Sequence, residues 1–333
     1  MVDKRLSFSD NADSGGLPMA LLVFKQLLVM MLIVLVSFFV SKKSNFGDKE
    51  SHYVSVLLLY VVAPAMIIDA FNIPYDSQRM RYFLIMTVLT LMNLGLLILL
   101  SLFFGKGKDE VSRKRIPLDK MGVVYSNAGY IGIPIIMAVM GKESVFYLMA
   151  FILAFNVVLW IHGQYLMTRT ISFKAIITKP TVLGSLFALV LFASPWTLPP
   201  IIGNAVSLLG DLNTALSMML LGILFANFKR PVGSEKFPLW QIARLCVARL
   251  VLSPLLMIGL FFLLRPFWGG DQQLRTLMMI IVIVSACPCG ISMTSFAVLY
   301  DKDYSYASLA VSVSTIISVA TVPLFTSLAE KVL

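Results

Sequence analysis

From residue 18 to residue 328 the chain is a succession of apolar runs separated by short polar links. Each run is close to the 20 or so residues that a helix needs to cross the hydrocarbon of a bilayer. Ten windows meet that length: 18–40, 52–71, 82–104, 121–140, 145–167, 180–198, 204–226, 240–264, 275–300 and 304–328. In hydrocarbon every backbone N–H and C=O must find its partner within the protein, so runs of this kind fold as helices. Composition agrees, with 59% hydrophobic and only 13% charged residues, where a soluble domain carries about 25% charged. The sequence therefore predicts an all-α integral membrane protein with ten transmembrane helices. Residues 1–17 are polar, with Asp3, Asp10, Asp13 and Gly15-Gly16. They are expected to form a disordered tail and lack the basic start and apolar core of a signal peptide.

A net charge of +10 would point to nucleic acid in a soluble domain. Here Lys and Arg sit between apolar runs, where they set topology and meet lipid headgroups. With ten spans the two termini share a side. Eight basic residues fall on that side, including Arg79, Arg81, Lys142, Arg265 and Arg275. Seventeen fall opposite, with the Lys106–Lys120 loop as the strongest marker. Both termini are predicted to face outward, in a cytoplasmic membrane. Cys246, Cys287 and Cys289 all lie in apolar runs and imply no disulfide framework.

The fourth and ninth runs are interrupted. Tyr125-Ser-Asn-Ala-Gly-Tyr-Ile-Gly-Ile-Pro134 carries Ser126, Asn127, Gly129, Gly132 and Pro134 where a plain span would carry leucines. Ser285-Ala-Cys-Pro-Cys-Gly290 brings Ser285, Cys287, Pro288, Cys289 and Gly290 into the ninth. Pro134 should stop the first helix near Ile133, with Gly129 and Gly132 forming an unwound link, and Pro288 should do the same in the ninth. A restarted helix offers unpaired amides and the positive end of its dipole. Two restarts meeting near mid-membrane would make an anion site. One proline alone is an ordinary kink. Two breaks, each at the fourth place of five, point to a carrier's binding site.

The ten runs divide into 18–167 and 180–333, joined by a linker at 168–179 predicted to be cytoplasmic. Lys142-Glu143 after the fourth run matches Lys302-Asp303 after the ninth. An odd number of spans in each half makes the two an inverted repeat.

Other polar residues fall inside the runs. Asp69, Asp211, Arg249 and Asn156 are candidates for coupling or gating, since an ionisable group in a span is costly. Asp69 and Asp211 lie near outer span ends, where hydration would also explain them. Arg249 is deeper and needs a partner or a water-filled cavity. Asn156, His162 and Gln164 make a polar stripe that serves interhelical contact equally well.

Cys287-Pro288-Cys289 admits a second reading, soft-metal transport, because thiolates suit copper(I) and zinc. Metal pumps of that kind need an ATP-hydrolysing domain, and no such segment is visible. A third reading is a receptor that binds its ligand without moving it. There is no catalytic constellation, metal-ligand spacing or phosphate-binding glycine loop, so neither enzymatic activity nor a cofactor is expected.

At these residues the chain resembles the auxin efflux carrier family. The matching pieces are Asn127-Ala-Gly-Tyr-Ile-Gly-Ile-Pro134 with Gly141, Val62-Ala-Pro-Ala-Met-Ile67, Asp211 through Leu221-Gly222, and Ala286-Cys-Pro288 through Tyr300. The resemblance implies ten helices in two inverted five-helix repeats, with broken, crossing fourth and ninth helices, as in bile-acid symporters and sodium/proton antiporters. It implies scaffold helices within 18–71 and 180–226, transport helices within 82–167 and 240–328, and a homodimer formed through the scaffold. It further implies a small organic acid as substrate, auxin-like or malate/malonate-like, bound beside the crossover and moved by alternating access. A proton or sodium ion is the candidate coupling ion. Cys287 and Cys289 depart from what the family leads one to expect around that proline. The short link after the fifth run is similar to that of bacterial members.

Overall fold

The computed structural model describes residues 18–105, 110–171, 180–194, 196–227, 239–267 and 270–333. The expected tail at 1–17 and most of the linker at 168–179 lie outside them. The described residues are helical and contain no strand. In chain order the helices are α1 (Met19–Ser44), α2 (Lys49–Phe71), α3 (Ser77–Ser101), α4 (Glu110–Val124), α5 (Ala128–Met140) and α6 (Lys142–Thr168). They continue as α7 (Pro180–Ala193), α8 (Pro200–Ala226), α9 (Leu239–Leu264), α10 (Gln272–Ala286), α11 (Ser292–Leu299) and α12 (Tyr304–Val332).

Among the described residues seven helices (α1, α2, α3, α6, α8, α9 and α12) are long and apolar enough to cross a membrane by themselves. The fourth expected run appears as the pair α4 and α5, the ninth as α10 and α11, and the sixth as the short α7. The fourth also starts earlier than expected. Glu110 to Lys120, read as loop from its charges, forms the first turns of α4.

Burial follows how each helix distributes its apolar residues. On α1 the buried positions are Met19, Val23, Leu27, Met30, Val34, Ser37 and Ser41, a stripe at three- and four-residue spacing, while Leu32 and Phe39 are exposed. That is a helix with one packed face and one lipid-type face. On α10 every residue from Thr276 to Ala286 is buried, so this helix is core on all sides.

α1 packs on α8, α8 on α2 and α2 on α7, and α1 also packs against α12 and α5. Glycines set the approach. A Cβ on Gly222 of α8 would stand 2.5 Å from the Val34 carbonyl oxygen and 2.6 Å from Ser37 Cβ, and one on Gly210 would stand 2.9 Å from Met66 Cα. Small residues allow such close backbone contact where lipid supplies no hydrophobic drive. α3 packs against α4 and α6, and α12 packs against α9, α10 and α11 as well as α1. Phe71, Phe83, Phe146 and Phe192 join α2, α3, α6 and α7, with ring centroids 4.9–5.6 Å apart in the pairs Phe146–Phe192, Phe71–Phe146 and Phe71–Phe83.

Polar contacts gather at two ends. At one end Lys142 pairs with Asp69, Tyr82 with Asp271, and Arg275 with the Glu330 carbonyl. At the other, Arg115 Nε meets Asp303 at 2.7 Å, and the Tyr306 hydroxyl donates to the buried carboxylate of Asp119. Of the four wide π-type turns among the described residues, Leu58–Val62, Ala128–Gly132 and Ala248–Leu252 each lie two residues ahead of a proline, Pro64, Pro134 and Pro254, and Leu159–Gly163 does not. A proline lacks an N–H and its ring crowds the carbonyl one turn back, and a wider turn accommodates both.

Candidate functional site

The fourth run does break, but not at Pro134. α4 ends at Val124, Tyr125 to Asn127 are unwound, and α5 restarts at Ala128. Pro134 sits inside the restarted helix, where the π-turn absorbs it. Gly129 and Gly132 are therefore helical, and the expected unwound link there is corrected. Gly132 instead gives close packing: a Cβ on it would stand 3.3 Å from Val284 and 3.7 Å from the Cys287 sulfur. The ninth run breaks where its proline predicts. α10 ends at Ala286, and Cys287 is extended at φ −61°, ψ 150°, as the residue before a proline prefers.

The two unwound segments run past each other as an antiparallel pair. The Asn127 amide donates to the Pro288 carbonyl at 2.8 Å, and the Gly290 amide donates to the Tyr125 carbonyl at 2.9 Å. Ser314 of α12 accepts from the Cys289 amide at 3.2 Å. Buried backbone groups freed by a break need such partners. Gly290 is required by closeness, since a Cβ there would stand 3.0 Å from the Ser126 carbonyl oxygen and 3.1 Å from that of Tyr125.

Where α4 and α10 end, their carbonyls converge on Arg249. The side chain is buried. Its Nε donates to Cys287 O at 3.0 Å, Nη1 to Val123 O at 2.8 Å and Val124 O at 3.3 Å, and Nη2 to Val284 O at 3.2 Å and Ser285 O at 2.8 Å. All five donors of the guanidinium are thus matched to carbonyls.

On the opposite side of the pair, where α5 and α11 begin, lies a cavity of about 290 Å³. Ser126, Asn127, Gly129, Gly290, Ser292 and Ser295 form its polar wall on the α5–α11 side, with Asn156 of α6 and Asn213 of α8 adding amides. Tyr60, Tyr130, Phe155, Trp160 and Phe296 give it an aromatic body. Among the described residues no charged side chain lines it. Asn127 Nδ2 is buried and finds no acceptor among the described residues.

Of the residues the sequence singled out, Ser126, Asn127, Gly129, Gly290 and Asn156 reach this cavity. Gly132, Pro134, Ser285, Cys287, Pro288, Cys289 and Arg249 do not line it. The Ser285 hydroxyl donates to Asn93 Oδ1 at 3.3 Å. Cys287 and Cys289 are fully buried within the second of the paired segments, and no cluster of three or more metal-ligating side chains occurs among the described residues. Asp69 and Asp211 line a smaller cavity with Lys142; Met66, Ile133 and Asn213 are common to both. His162 Nδ1 lies 2.8 Å from the Tyr125 hydroxyl, so the stripe on α6 buttresses the break.

Asn213, like Ser292 and Ser295, lines the cavity without having been singled out from sequence. Its Nδ2 donates to the Gly129 carbonyl at 3.3 Å, which ties α8 to the restart of α5. An amide two positions beyond Asp211 in an apolar run was the available signal.

Apolar helices around paired unwound segments, with an uncharged cavity beside two helix starts, define a membrane transport protein. The chain belongs to the membrane transport protein family, that of the auxin efflux carriers, whose profile matches residues 22–171 and 166–326. No curated protein matches the sequence.

Proposed function

We propose that this protein is a secondary carrier that moves a small organic anion across the cytoplasmic membrane by alternating access. The observation that carries this reading is Asn127 Nδ2, buried and without a partner among the described residues, on a residue that lines a cavity where two helices begin. An unpaired buried donor is costly, and a bound acceptor relieves it. First-turn amides of α5 and α11 add positive potential. Ser126, Asn127, Gly129 and Gly290 are then substrate-facing. Gly132, Pro134, Ser285, Cys287, Pro288 and Cys289 shape the segment behind them.

A cavity wall with no cationic side chain among the described residues favours a single carboxylate on an apolar or aromatic body. A dicarboxylate such as malate would leave its second charge without a partner. In this reading ten spans form two inverted repeats, with α4–α5 and α10–α11 as the crossing fourth and ninth. α3–α6 and α9–α12 move against α1, α2, α7 and α8, and the scaffold forms a homodimer. The cavity wall reaches Trp160 and Leu299, toward the basic-rich face read as cytoplasmic. The Lys142–Asp69 pair at 2.9 Å closes the other end, with the termini outside.

Uptake by proteoliposomes tests this. Saturable flux of indole acetate exceeding that of malate or malonate is expected. Faster malate flux would overturn the substrate class. Saturable binding with no flux of any acid would replace the carrier with a receptor.

A further inference from the structure

Helix ends carry fractional charge. Each C-terminus bears roughly half a negative elementary charge, so two that converge amount to about one. α4 and α10 end at Val124 and Ala286, and the carbonyls of Val123, Val124, Val284, Ser285 and Cys287 face one point. A ring of carbonyl oxygens at two helix ends, deep in a membrane protein, is chemically a site for a small cation. Arg249 fills it. The guanidinium brings one positive charge and five N–H donors to five acceptors, which leaves none to reach into the cavity. Its own helix makes room for it. Arg249 lies in the π-turn Ala248–Leu252 ahead of Pro254, and Ser253 Oγ adds a bond to Ser285 O at 3.1 Å.

We infer that Arg249 is a cation built into the protein, a positioning residue that neutralises the ends of α4 and α10 and holds both unwound segments in register. Without it the carbonyl cage is left with an unbalanced negative potential and takes up a small free cation instead. A buried charge is tolerated only when paired and fully hydrogen-bonded, and here the partners are backbone dipoles, with no carboxylate among them. The consequence for transport rests on the carrier reading: the crossing segments stay charge-balanced whether or not an anion occupies the cavity. The site itself does not depend on that reading, because it can be read out from stability alone.

Thermal unfolding of the purified full chain in detergent tests the proposal. The variants are Arg249→Lys, Arg249→Met and Arg249→Ala. Arg249→Lys, which keeps a charge and three donors, should unfold at least roughly 5 °C above Arg249→Met. Low-millimolar guanidinium chloride should raise the midpoint of Arg249→Ala, whereas urea, its neutral isostere, at the same concentration should not. The wild type should respond to neither. If Arg249→Ala fails to fold, the comparison of Arg249→Lys with Arg249→Met still decides. Equal midpoints for those two, or equal recovery of Arg249→Ala by urea and guanidinium, would show that shape and not charge is at work, and would overturn the inference.

Discussion

Asn127 donates its backbone amide to the carbonyl of Pro288 at 2.8 Å, and the side-chain Nδ2 of the same cavity-lining residue has no partner among the described residues. Backbone and side chain thus have separate tasks. The backbone satisfies the break, and in the proposed carrier the side chain serves the ligand. That separation makes the site testable, because the side chain can be changed without removing the bond that joins the two segments.

Asn127→Ala should leave the unfolding midpoint close to wild type, since Nδ2 has no partner among the described residues to lose. Affinity for the anion should fall about 10- to 100-fold, the equivalent of one hydrogen bond to a charged group. Asn127→Asp, which places an acceptor and negative charge there, should be worse still. Titration calorimetry with indole acetate reads both. Unchanged affinity in Asn127→Asp would remove this residue from the site.

Gly290→Ala and Gly129→Ala should separate packing from binding. An added Cβ at Gly290 meets backbone oxygens at 3.0 and 3.1 Å, which cannot yield without parting the paired segments, while one at Gly129 meets nothing within 4 Å. Gly290→Ala is expected to cost about 1–3 kcal/mol and to lower flux. Gly129→Ala should unfold like wild type and shift only apparent affinity, because its methyl enters the cavity wall. Differential scanning fluorimetry alongside uptake kinetics distinguishes them.

Gly222→Ala tests the packing of α1 on α8. Its Cβ would overlap the Val34 carbonyl oxygen at 2.5 Å, so the helices must separate and the Ser37 Oγ bond to Met219 O at 2.7 Å must stretch. A loss of about 1–3 kcal/mol is expected in chemical denaturation. Ligand affinity should change little, since neither residue lines the cavity.

Asp69→Asn combined with Lys142→Gln removes the ion pair between α2 and α6. The Lys142 side chain is 67% exposed, so solvent screens the pair and it adds only about 0–1 kcal/mol to stability. The midpoint should therefore hold. Flux should change at least twofold if this contact forms and breaks in each cycle, and stopped-flow uptake measures it. Identical flux would mean that the pair takes no part in gating.

Most of the helical layout was legible from hydropathy, because an apolar run in a bilayer has few alternatives to a helix. The ninth break was legible too, as Pro288 forces Cys287 into extended backbone. The fourth was misplaced for a local reason. Pro134 looks like a breaker, yet a π-turn can absorb a proline. The chain instead unwinds at Tyr125–Asn127, where Pro288 and Gly290 supply the partners. Asn213 was missed because an isolated amide in an apolar run gives no sign of which helix it will face.

The sequence by itself determined a membrane-embedded helical chain, its family, and the two spans that cannot be plain helices. Those properties are local, set by the free energy of placing each residue in hydrocarbon. Only the tertiary structure decided that Asn127 meets Pro288, that Arg249 turns to five carbonyls and away from the cavity, and that Asn156 and Asn213 complete its wall. A freed backbone group or a buried charge must be satisfied by whatever lies nearest in space, and that neighbour can be more than a hundred residues away along the chain, as Val123 is from Arg249.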